Sequence, residues 1–177
     1  MNDTTTKPGA AKPPAEFEFV IMRIFDAPRE RVWKAWTEAE RLGKWWGPKG
    51  FDIVSVKLDL RPGGTFHYLL RSPEGQEMWG KFIFREIVPL ERLVFVVSFS
   101  DAEGGLTRHP MSPDWPLTML STVTFADTGT GKTTITVKWV AYEATEAERK
   151  TFEAGKDSMK AGWTGTFDRL DDYLAKS

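Results

Sequence analysis

The stretch that decides the fold is TEAERKTFEAGKDSMKAGWTGTFDRLDDYLAK, residues 145–176. Its large apolar side chains recur at spacings of seven, four, four, three and four, and they are Phe152, Met159, Trp163, Phe167, Leu170 and Leu174. This repeat is that of one face of an α-helix. Thr145 followed by Glu148 is the signature of a capping box, so the helix is predicted to begin there. We expect one helix of about 45 Å, which needs a wide apolar surface to pack against.

The glycines inside this predicted helix include Gly155 and Gly162. Each weakens a helix by about 1 kcal/mol relative to alanine. Because that cost needs a reason, we expect a strand or a ligand to approach the helix closely at these two positions.

The six segments before the helix have the two-residue period of β-strands. Aromatic and β-branched residues alternate with polar ones in each, and the predicted strands are 51–60, 65–71, 77–88, 92–98, 117–126 and 133–142. Turn sequences rich in proline and glycine, such as residues 61–64 and 72–75, join them. Consecutive strands with short connections predict an antiparallel meander. The exception is the connection at 100–116, whose length is typical of functional or mobile loops.

The chain before the meander has one strand and two short helices. Residues 16–25 alternate and predict a first strand. Pro28 indicates the start of one helix, and Thr37 with Glu40 predicts a capping box at the start of the next. A twisted antiparallel sheet with a long helix across its concave face buries the apolar surfaces of both. The predicted fold class is therefore α+β, with a curved sheet of about seven strands wrapped on a long C-terminal helix and two short helices after strand 1.

Composition limits the classes of function. The 177 residues fit one domain, and we expect a disordered tail over 1–15 before a single domain at 16–177. The absence of cysteine excludes disulfides, thiol nucleophiles and thiolate metal sites. Lysine and arginine number 24 against 25 aspartates and glutamates, so no net field favours nucleic acid. Because no apolar run suits membrane insertion and no secretion signal is seen, we expect a cytoplasmic protein.

Motifs for catalysis, phosphate and metals are weak. Residues 126–133 fit a relaxed phosphate-loop pattern, but a strand comes next where that mechanism requires a helix, so we interpret a hairpin turn. The two histidines, His67 and His109, have no second histidine at metal-ligand spacing, and we expect no metal and no cofactor. No nucleophile elbow of the Gly-x-Ser-x-Gly type is present, and no catalytic residue is predicted. The carboxylates on strands fit solvated or ion-paired positions, and they are Asp59, Glu77 and Glu86.

Aromatic content is the most informative feature of the composition. Eight tryptophans and twelve phenylalanines either fill a core or line a cavity. The apolar phase of each strand faces the helix, which predicts the walls of a ligand cavity. The predicted ligand-binding residues are Trp36, Trp45, Trp46, Phe66, Tyr68, Phe95, Phe99, Val123, Trp139, Met159 and Trp163. The first three are expected near the mouth, and Tyr68 would orient the ligand through its hydroxyl. Patterning does not distinguish a lined cavity from a filled core, so both interpretations stand.

Three stretches resemble one protein family. Residues 24–36, IFDAPRERVWKAW, resemble its opening strand and helix, and WWGP at 45–48 resembles the exit from its second helix. DLRPGGTF at 59–66 resembles the family's turn between the second and third strands, and PLERLVF at 89–95 extends the likeness. Through these stretches the chain resembles the activator of Hsp90 ATPase homologue 1-like family of the START/Bet v 1-like (SRPBCC) superfamily.

The resemblance implies a helix-grip fold around a cavity for a small hydrophobic or amphipathic ligand, lipid-like or polycyclic. Some relatives in the superfamily are cyclases or hydrolases, so an enzyme of the cyclase, isomerase or hydrolase kind is the first alternative. The family's namesake stimulates the Hsp90 ATPase, which makes an interaction module the second. An additional N-terminal domain does much of that chaperone binding, and the segment before Glu16 is too short for it. We therefore expect a non-enzymatic binding protein with no Hsp90 partner, and a homodimer is compatible with the sequence.

Overall fold

A computed structural model describes residues 18–176, which form a curved antiparallel sheet with four helices packed against it. The strands are β1 (Glu18–Phe25), β2 (Asp52–Leu58), β3 (Thr65–Arg71), β4 (Glu77–Val88), β5 (Arg92–Ser100), β6 (Leu106–Thr107), β7 (Thr118–Asp127) and β8 (Thr133–Tyr142). The helices are α1 (Arg29–Thr37), α2 (Ala39–Trp45), α3 (Glu146–Ala154) and α4 (Lys156–Lys176). The disordered tail expected over 1–15 lies outside the described residues.

The strand order confirms the predicted meander. Along the sheet the strands run β1-β8-β7-β5-β4-β3-β2, all antiparallel, with the two-residue β6 on β5. Strand β1 therefore pairs with the last strand of the chain, and α1 and α2 connect one edge of the sheet to the other. Strand β6 lies inside the 100–116 connection, for which the sequence predicted no strand. The α+β class and the count of about seven strands are confirmed.

Side-chain alternation places one phase of every strand against the helices. On β7, Met119, Val123 and Phe125 are buried, and on β8 the buried pair is Ile135 and Val137. The hydrogen-bonded register sets Val123 opposite Val137, so these buried phases form one continuous apolar surface. This is the surface that the C-terminal helix was predicted to need.

The C-terminal helix is interrupted at one residue, so the prediction of a single helix is wrong in that detail. The capping box is confirmed, because the Thr145 hydroxyl accepts from Glu148 N and the Glu148 carboxylate accepts from Thr145 N. Helix α3 ends at Gly155, and α4 begins directly after it. A Cβ atom at Gly155 would lie 2.7 Å from Cζ3 of Trp115. The close approach expected at Gly155 is therefore made by a side chain from the 101–117 connection.

The second helix also begins differently from the prediction. Thr37 is the last residue of α1, and its hydroxyl donates to the Trp33 carbonyl at 2.8 Å. A helical threonine bonded back in this way does not cap the next helix. The capping box predicted at Thr37 is therefore wrong, and Glu38 occupies the N-cap position of α2 without a side-chain hydrogen bond.

An aromatic cluster around Trp46 joins α2, the sheet and α4. Trp46 follows the last residue of α2, is 6% exposed and points its ring into the sheet–helix interface. The rings with centroids within about 6 Å of it come from five different elements, and they are Trp36, Trp45, Phe66, Tyr68, Phe82 and Trp163. This cluster therefore makes the central packing contacts between the helices and the sheet.

Arg169 of α4 holds the segment that follows Trp46 in the chain. Arg169 Nη1 donates to the carbonyl oxygens of Pro48 at 3.0 Å and of Phe51 at 2.9 Å. Partial burial lowers the pKa of Arg169, which the nearby Asp52 charge opposes. Because these carbonyls lie between α2 and β2, the hydrogen bonds fix the segment after Trp46 against α4.

Candidate functional site

A cavity of about 550 Å³, partly open to solvent, lies between the sheet, the α3–α4 pair and the connection at 101–117. Its walls come from β3, β4, β5, β7 and β8, from the end of α2 and from the inner face of α3 and α4. The walls are mostly apolar, and aromatic rings and methionines form much of them. Sites for small molecules commonly have volumes of about 300–1,000 Å³ and walls of this kind.

The cavity brings together six of the predicted ligand-binding residues. They are Trp46, Tyr68, Phe99, Trp139, Met159 and Trp163. Those on β3, β5, β8 and α4 converge because each lies on the inward phase of its element, and Trp46 joins them from the end of α2. Gly162 of α4 also lines the cavity, and a Cβ atom there would meet nothing within 4 Å. No strand therefore approaches the helix closely at Gly162, which faces open space in the cavity.

The other five predicted residues belong to the packed core behind the cavity wall. They are Trp36, Trp45, Phe66, Phe95 and Val123, each at most 3% exposed. Trp36 and Trp45 do not stand near a mouth, because α1 and α2 turn their rings toward each other at 5.0 Å. The Trp45 indole N–H donates to the Ala35 carbonyl at 2.9 Å, which satisfies it inside the protein.

The connection at 101–117 contributes cavity residues that sequence reasoning did not assign. His109 lies edge-on against Phe99, with ring centroids 4.9 Å apart. Trp115 packs against Phe152 at 5.8 Å and lies over Gly155. A loop has no period from which an inward phase can be deduced. The usable signals were its length, its tryptophan and the glycine that accommodates that ring.

The carboxylate of Glu148, which is largely buried, anchors this connection to α3. Glu148 Oε2 accepts from Arg108 Nη1 at 3.2 Å and from Leu117 N at 3.4 Å, while Oε1 accepts from Thr145 N at 3.3 Å. Burial acts to raise the pKa of Glu148, but the hydrogen bonds from Thr145, Arg108 and Leu117 together lower it. Glu148, the N3 residue of the α3 capping box, therefore also holds the loop that closes the cavity.

Protonation of the Glu148 carboxylate at low pH is expected to weaken the hydrogen bonds that hold the 101–117 connection to α3. A carboxyl with a lowered folded-state pKa contributes stability above its unfolded pKa, of about 4.3, and loses it as the pH falls through the folded value. We expect Glu148→Gln to flatten the fall in melting temperature below about pH 4. The matched control is Glu146→Gln, because the Glu146 carboxylate is 75% exposed and pairs with Lys150. Parallel melting curves for wild type and Glu148→Gln across this range would contradict the assignment.

The cavity is electrically neutral at pH 7 within the described part of the chain. Its lining contains no lysine, arginine, aspartate or glutamate among residues 18–176, and its titratable side chains are Tyr68 and His109. Burial raises the pKa of the Tyr68 phenol far above neutrality, so it stays protonated. Burial lowers the pKa of His109, so its imidazole is neutral. Since His109 Nδ1 accepts from Met111 N at 3.0 Å, the ring proton lies on Nε2.

His67 does not join this site. Its ring stacks on Trp79 at 4.7 Å, on the outward phase of β3. Its Nε2 atom lies 3.0 Å from the Asp101 carbonyl and 3.2 Å from Ser100 Oγ. Because a carbonyl only accepts, Nε2 carries the proton and is not a base for the serine hydroxyl. Ser100 and His67 are therefore not a nucleophile–base pair in this arrangement.

The remaining candidates from the sequence have structural roles. The three strand-end carboxylates pair with arginines, as expected: Asp59 with Arg61, Glu77 with Arg71, and Glu86 with Arg92. Residues 128–132 form the turn between β7 and β8, so the hairpin interpretation of the phosphate-loop-like segment is confirmed. Among residues 18–176 there is no cluster of three or more metal-ligating side chains. In the same range, no helix has the length and apolar character needed to cross a membrane.

Solved structures with this fold come from several bacteria. A Nitrosomonas europaea protein is 28% identical, with a TM-score of 0.72 over 93% of this chain and 97% of that one. An Arthrobacter aurescens protein is 24% identical, with a TM-score of 0.76 over 97% and 94%. A Silicibacter pomeroyi protein described as AHSA1 is 18% identical, with a TM-score of 0.64 over 89% and 97%. No curated protein sequence matches the chain.

A family model agrees with the stretches that first suggested the resemblance. The model described as activator of Hsp90 ATPase homolog 1-like protein matches residues 26–175, which include α1, the whole meander and the C-terminal helices. The order of strands and helices is that of the Bet v 1-like superfamily, as expected. The chain therefore belongs to the activator of Hsp90 ATPase homologue 1-like family.

Proposed function

We propose that this protein binds a small hydrophobic or amphipathic molecule in the cavity between the sheet and α4. The observation that carries the proposal is the cavity of about 550 Å³ at the centre of the sheet–helix interface. Protein interiors are close-packed, with few voids larger than a water molecule. Rigid rings such as Trp46 and Trp163 hold this one open, and methionines such as Met119 and Met159 supply walls that adapt to a ligand's shape.

The chemistry of the lining favours binding over catalysis. Acid–base catalysis needs a group that takes up a proton near the reacting atom. Within residues 18–176 no carboxylate lines the cavity, and the free nitrogen of His109 already carries its proton. Tyr68 is held protonated by burial and supplies a hydrogen-bond donor. These groups orient a molecule without providing a base for its reaction.

Docking of a partner through the tryptophans of α2 is not favoured. A docking surface would present these rings as an exposed apolar patch. Trp45 is fully buried and Trp46 is 6% exposed. Their rings stabilise the protein's own core, which supports the binding proposal over an interaction module.

Filling the cavity from α4 tests the proposal. We expect Gly162→Leu to fold, because a helix gains about 1 kcal/mol when glycine is replaced and the new side chain extends into open space. The neutral fluorophore N-phenyl-1-naphthylamine should bind wild type and lose at least about tenfold in affinity for the variant, since its site is occupied. The control is Ala161→Leu, which places the same side chain at the exposed neighbouring position.

Three measurements complete this test. Native mass spectrometry with solvent extraction of the purified protein should reveal a co-purifying organic molecule in wild type and not in Gly162→Leu. Thermal melting should show both variants folded. Equal fluorophore binding by Gly162→Leu and Ala161→Leu, or no binding by wild type, would overturn the proposed function.

A further inference from the structure

Tyr68 and Trp46 form a polar corner of the cavity. Both residues line the cavity, and they are 9% and 6% exposed. Their rings meet edge to face, with centroids 5.6 Å apart. The Trp46 indole N–H lies near enough to the phenol oxygen to oppose the rise in the pKa of Tyr68 that burial causes. This contact falls short of a full hydrogen bond. The Trp46 N–H is one of three indole N–H groups in the cavity lining that are buried without a partner among residues 18–176, together with those of Trp115 and Trp139.

Donor and acceptor rules determine which way this corner can act. An indole N–H only donates, whereas a phenol oxygen both accepts and donates. When the Tyr68 oxygen accepts from Trp46, the Tyr68 proton is free to be donated to something else. Leaving such buried donors without an acceptor costs free energy. A ligand atom that accepts a hydrogen bond from Tyr68 completes the chain from the indole through the phenol.

The position of Tyr68 is fixed by a glycine on the neighbouring strand. Gly80 is opposite Tyr68 in the β3–β4 register, and a Cβ atom there would lie 2.2 Å from Cζ and 2.3 Å from the hydroxyl oxygen of Tyr68. The phenol therefore lies flat over the backbone of β4, where Gly80 also lines the cavity. The next residue in this cross-strand row is Phe99, whose ring packs edge to face with that of His109. The hydroxyl is thus held in the aromatic floor of the cavity.

Charge and polarity set the rest of the selection. Among the described residues no cationic side chain lines the cavity, so a carboxylate or phosphate placed there would lose its hydration without gaining a counter-ion. A pure hydrocarbon would satisfy the aromatic walls but offer the Tyr68 hydroxyl no acceptor. A neutral molecule with one acceptor oxygen avoids both costs.

Resting on the proposed function, we propose that the cavity selects neutral, largely aromatic molecules carrying an acceptor oxygen such as a carbonyl, which receives the Tyr68 hydroxyl proton in a hydrogen bond. Trp46 is a positioning residue in this arrangement, because on ligand binding its N–H would close to a full hydrogen bond with the phenol oxygen and leave the phenol proton for the ligand. The aromatic body of the ligand lies against Phe99, Trp139 and Trp163.

Three probes of one shape test this selection: fluorene, fluorenone and fluorene-9-carboxylate. Isothermal titration calorimetry of wild type should give an affinity for the ketone about tenfold above that for the hydrocarbon, as one buried hydrogen bond provides. The carboxylate should bind at least about tenfold more weakly than the ketone. The infrared carbonyl stretch of bound fluorenone should lie at lower frequency than in an apolar solvent.

Tyr68→Phe separates the hydroxyl from the ring. In this variant fluorenone and fluorene should bind with equal affinity, and the infrared shift should disappear. Tyr142→Phe is the matched control, because Tyr142 lies at the end of β8 under the Arg85 guanidinium, outside the cavity lining. Trp46→Phe keeps an aromatic ring without the N–H, and it should reduce the preference for the ketone while Tyr68 is still present.

The outcomes separate this inference from the proposed function. Equal wild-type affinity for fluorene and fluorenone, or full ketone preference in Tyr68→Phe, overturns the proposal that Tyr68 selects ligands with an acceptor oxygen. Either result leaves the proposal of cavity binding in place. Tightest binding of the carboxylate overturns the preference for neutral ligands. Failure of all three probes to bind wild type counts against both the inference and the proposed function.

Discussion

Trp46→Ala is expected to lower the free energy of unfolding by about 3–5 kcal/mol, as for other large-to-small changes at buried aromatic residues. The side chain is 6% exposed and contacts rings from α1, α2, β3, β4 and α4. Its removal would leave a void that adjoins the existing cavity, which the surrounding rigid rings do not close by relaxing. Urea denaturation followed by far-ultraviolet circular dichroism measures the change.

Trp33→Ala is the matched control for this prediction. Trp33 lies on α1, is half-buried, and packs edge-on against Phe125 at 5.1 Å. Loss of this peripheral ring should cost about 1–2 kcal/mol, because less apolar surface is removed from contact. If the two variants were equally stable, Trp46 would not be the side chain that contributes most to packing between the helices and the sheet.

The strands were predictable because their signal is local and repeated. An inward phase of alternate apolar residues, bounded by turn residues, identified β3, β4 and β8 to within a residue. Antiparallel pairing of consecutive strands then results from the shortness of their connections. The Thr145 capping box was likewise predictable, since both of its hydrogen bonds join residues three apart.

Features set by distant contacts were not predictable. The interruption at Gly155 depends on the Trp115 ring, which arrives from a connection without any period. The amphipathic pattern is continuous through Gly155, so a single helix was the natural interpretation of the sequence. Thr37 illustrates the same limit at short range, because whether its hydroxyl caps α2 or bonds back to Trp33 depends on where α1 ends.

The sequence could predict which side chains of each strand face the helices, but not which of those side chains line the cavity. Phe66 and Tyr68 share the inward phase of β3, yet Tyr68 lines the cavity while Phe66 is packed beneath Trp46. Which inward residues meet open space depends on where the helix and the loop leave a gap, and alternation carries no information on that. The open floor at Tyr68 is explained by Gly80, whose missing side chain was not recognised as part of the site.

Gly80→Ala is expected to destabilise the protein by about 2–3 kcal/mol, as overpacking against a buried ring does. Intrinsic preference argues the other way, because glycine weakens a strand interior by about 0.5–1 kcal/mol relative to alanine. Sterics decide the sign here: the new Cβ atom would lie 2.2–2.5 Å from three atoms of Tyr68. Gly162→Ala is the control, since its Cβ atom meets nothing within 4 Å and should stabilise α4. Chemical denaturation compares the two variants.

Combining Gly80→Ala with Tyr68→Ala identifies the cause of the expected loss. Tyr68→Ala alone removes a buried ring and should cost about 3 kcal/mol or more. In the double variant the alanine at position 80 no longer meets a ring, so the combined loss should fall short of the sum by at least about 1 kcal/mol. Strictly additive losses would mean that the phenol already moves aside in Gly80→Ala. The hydroxyl would then not be held over β4, and the fixed donor on which ligand selection depends would be lost.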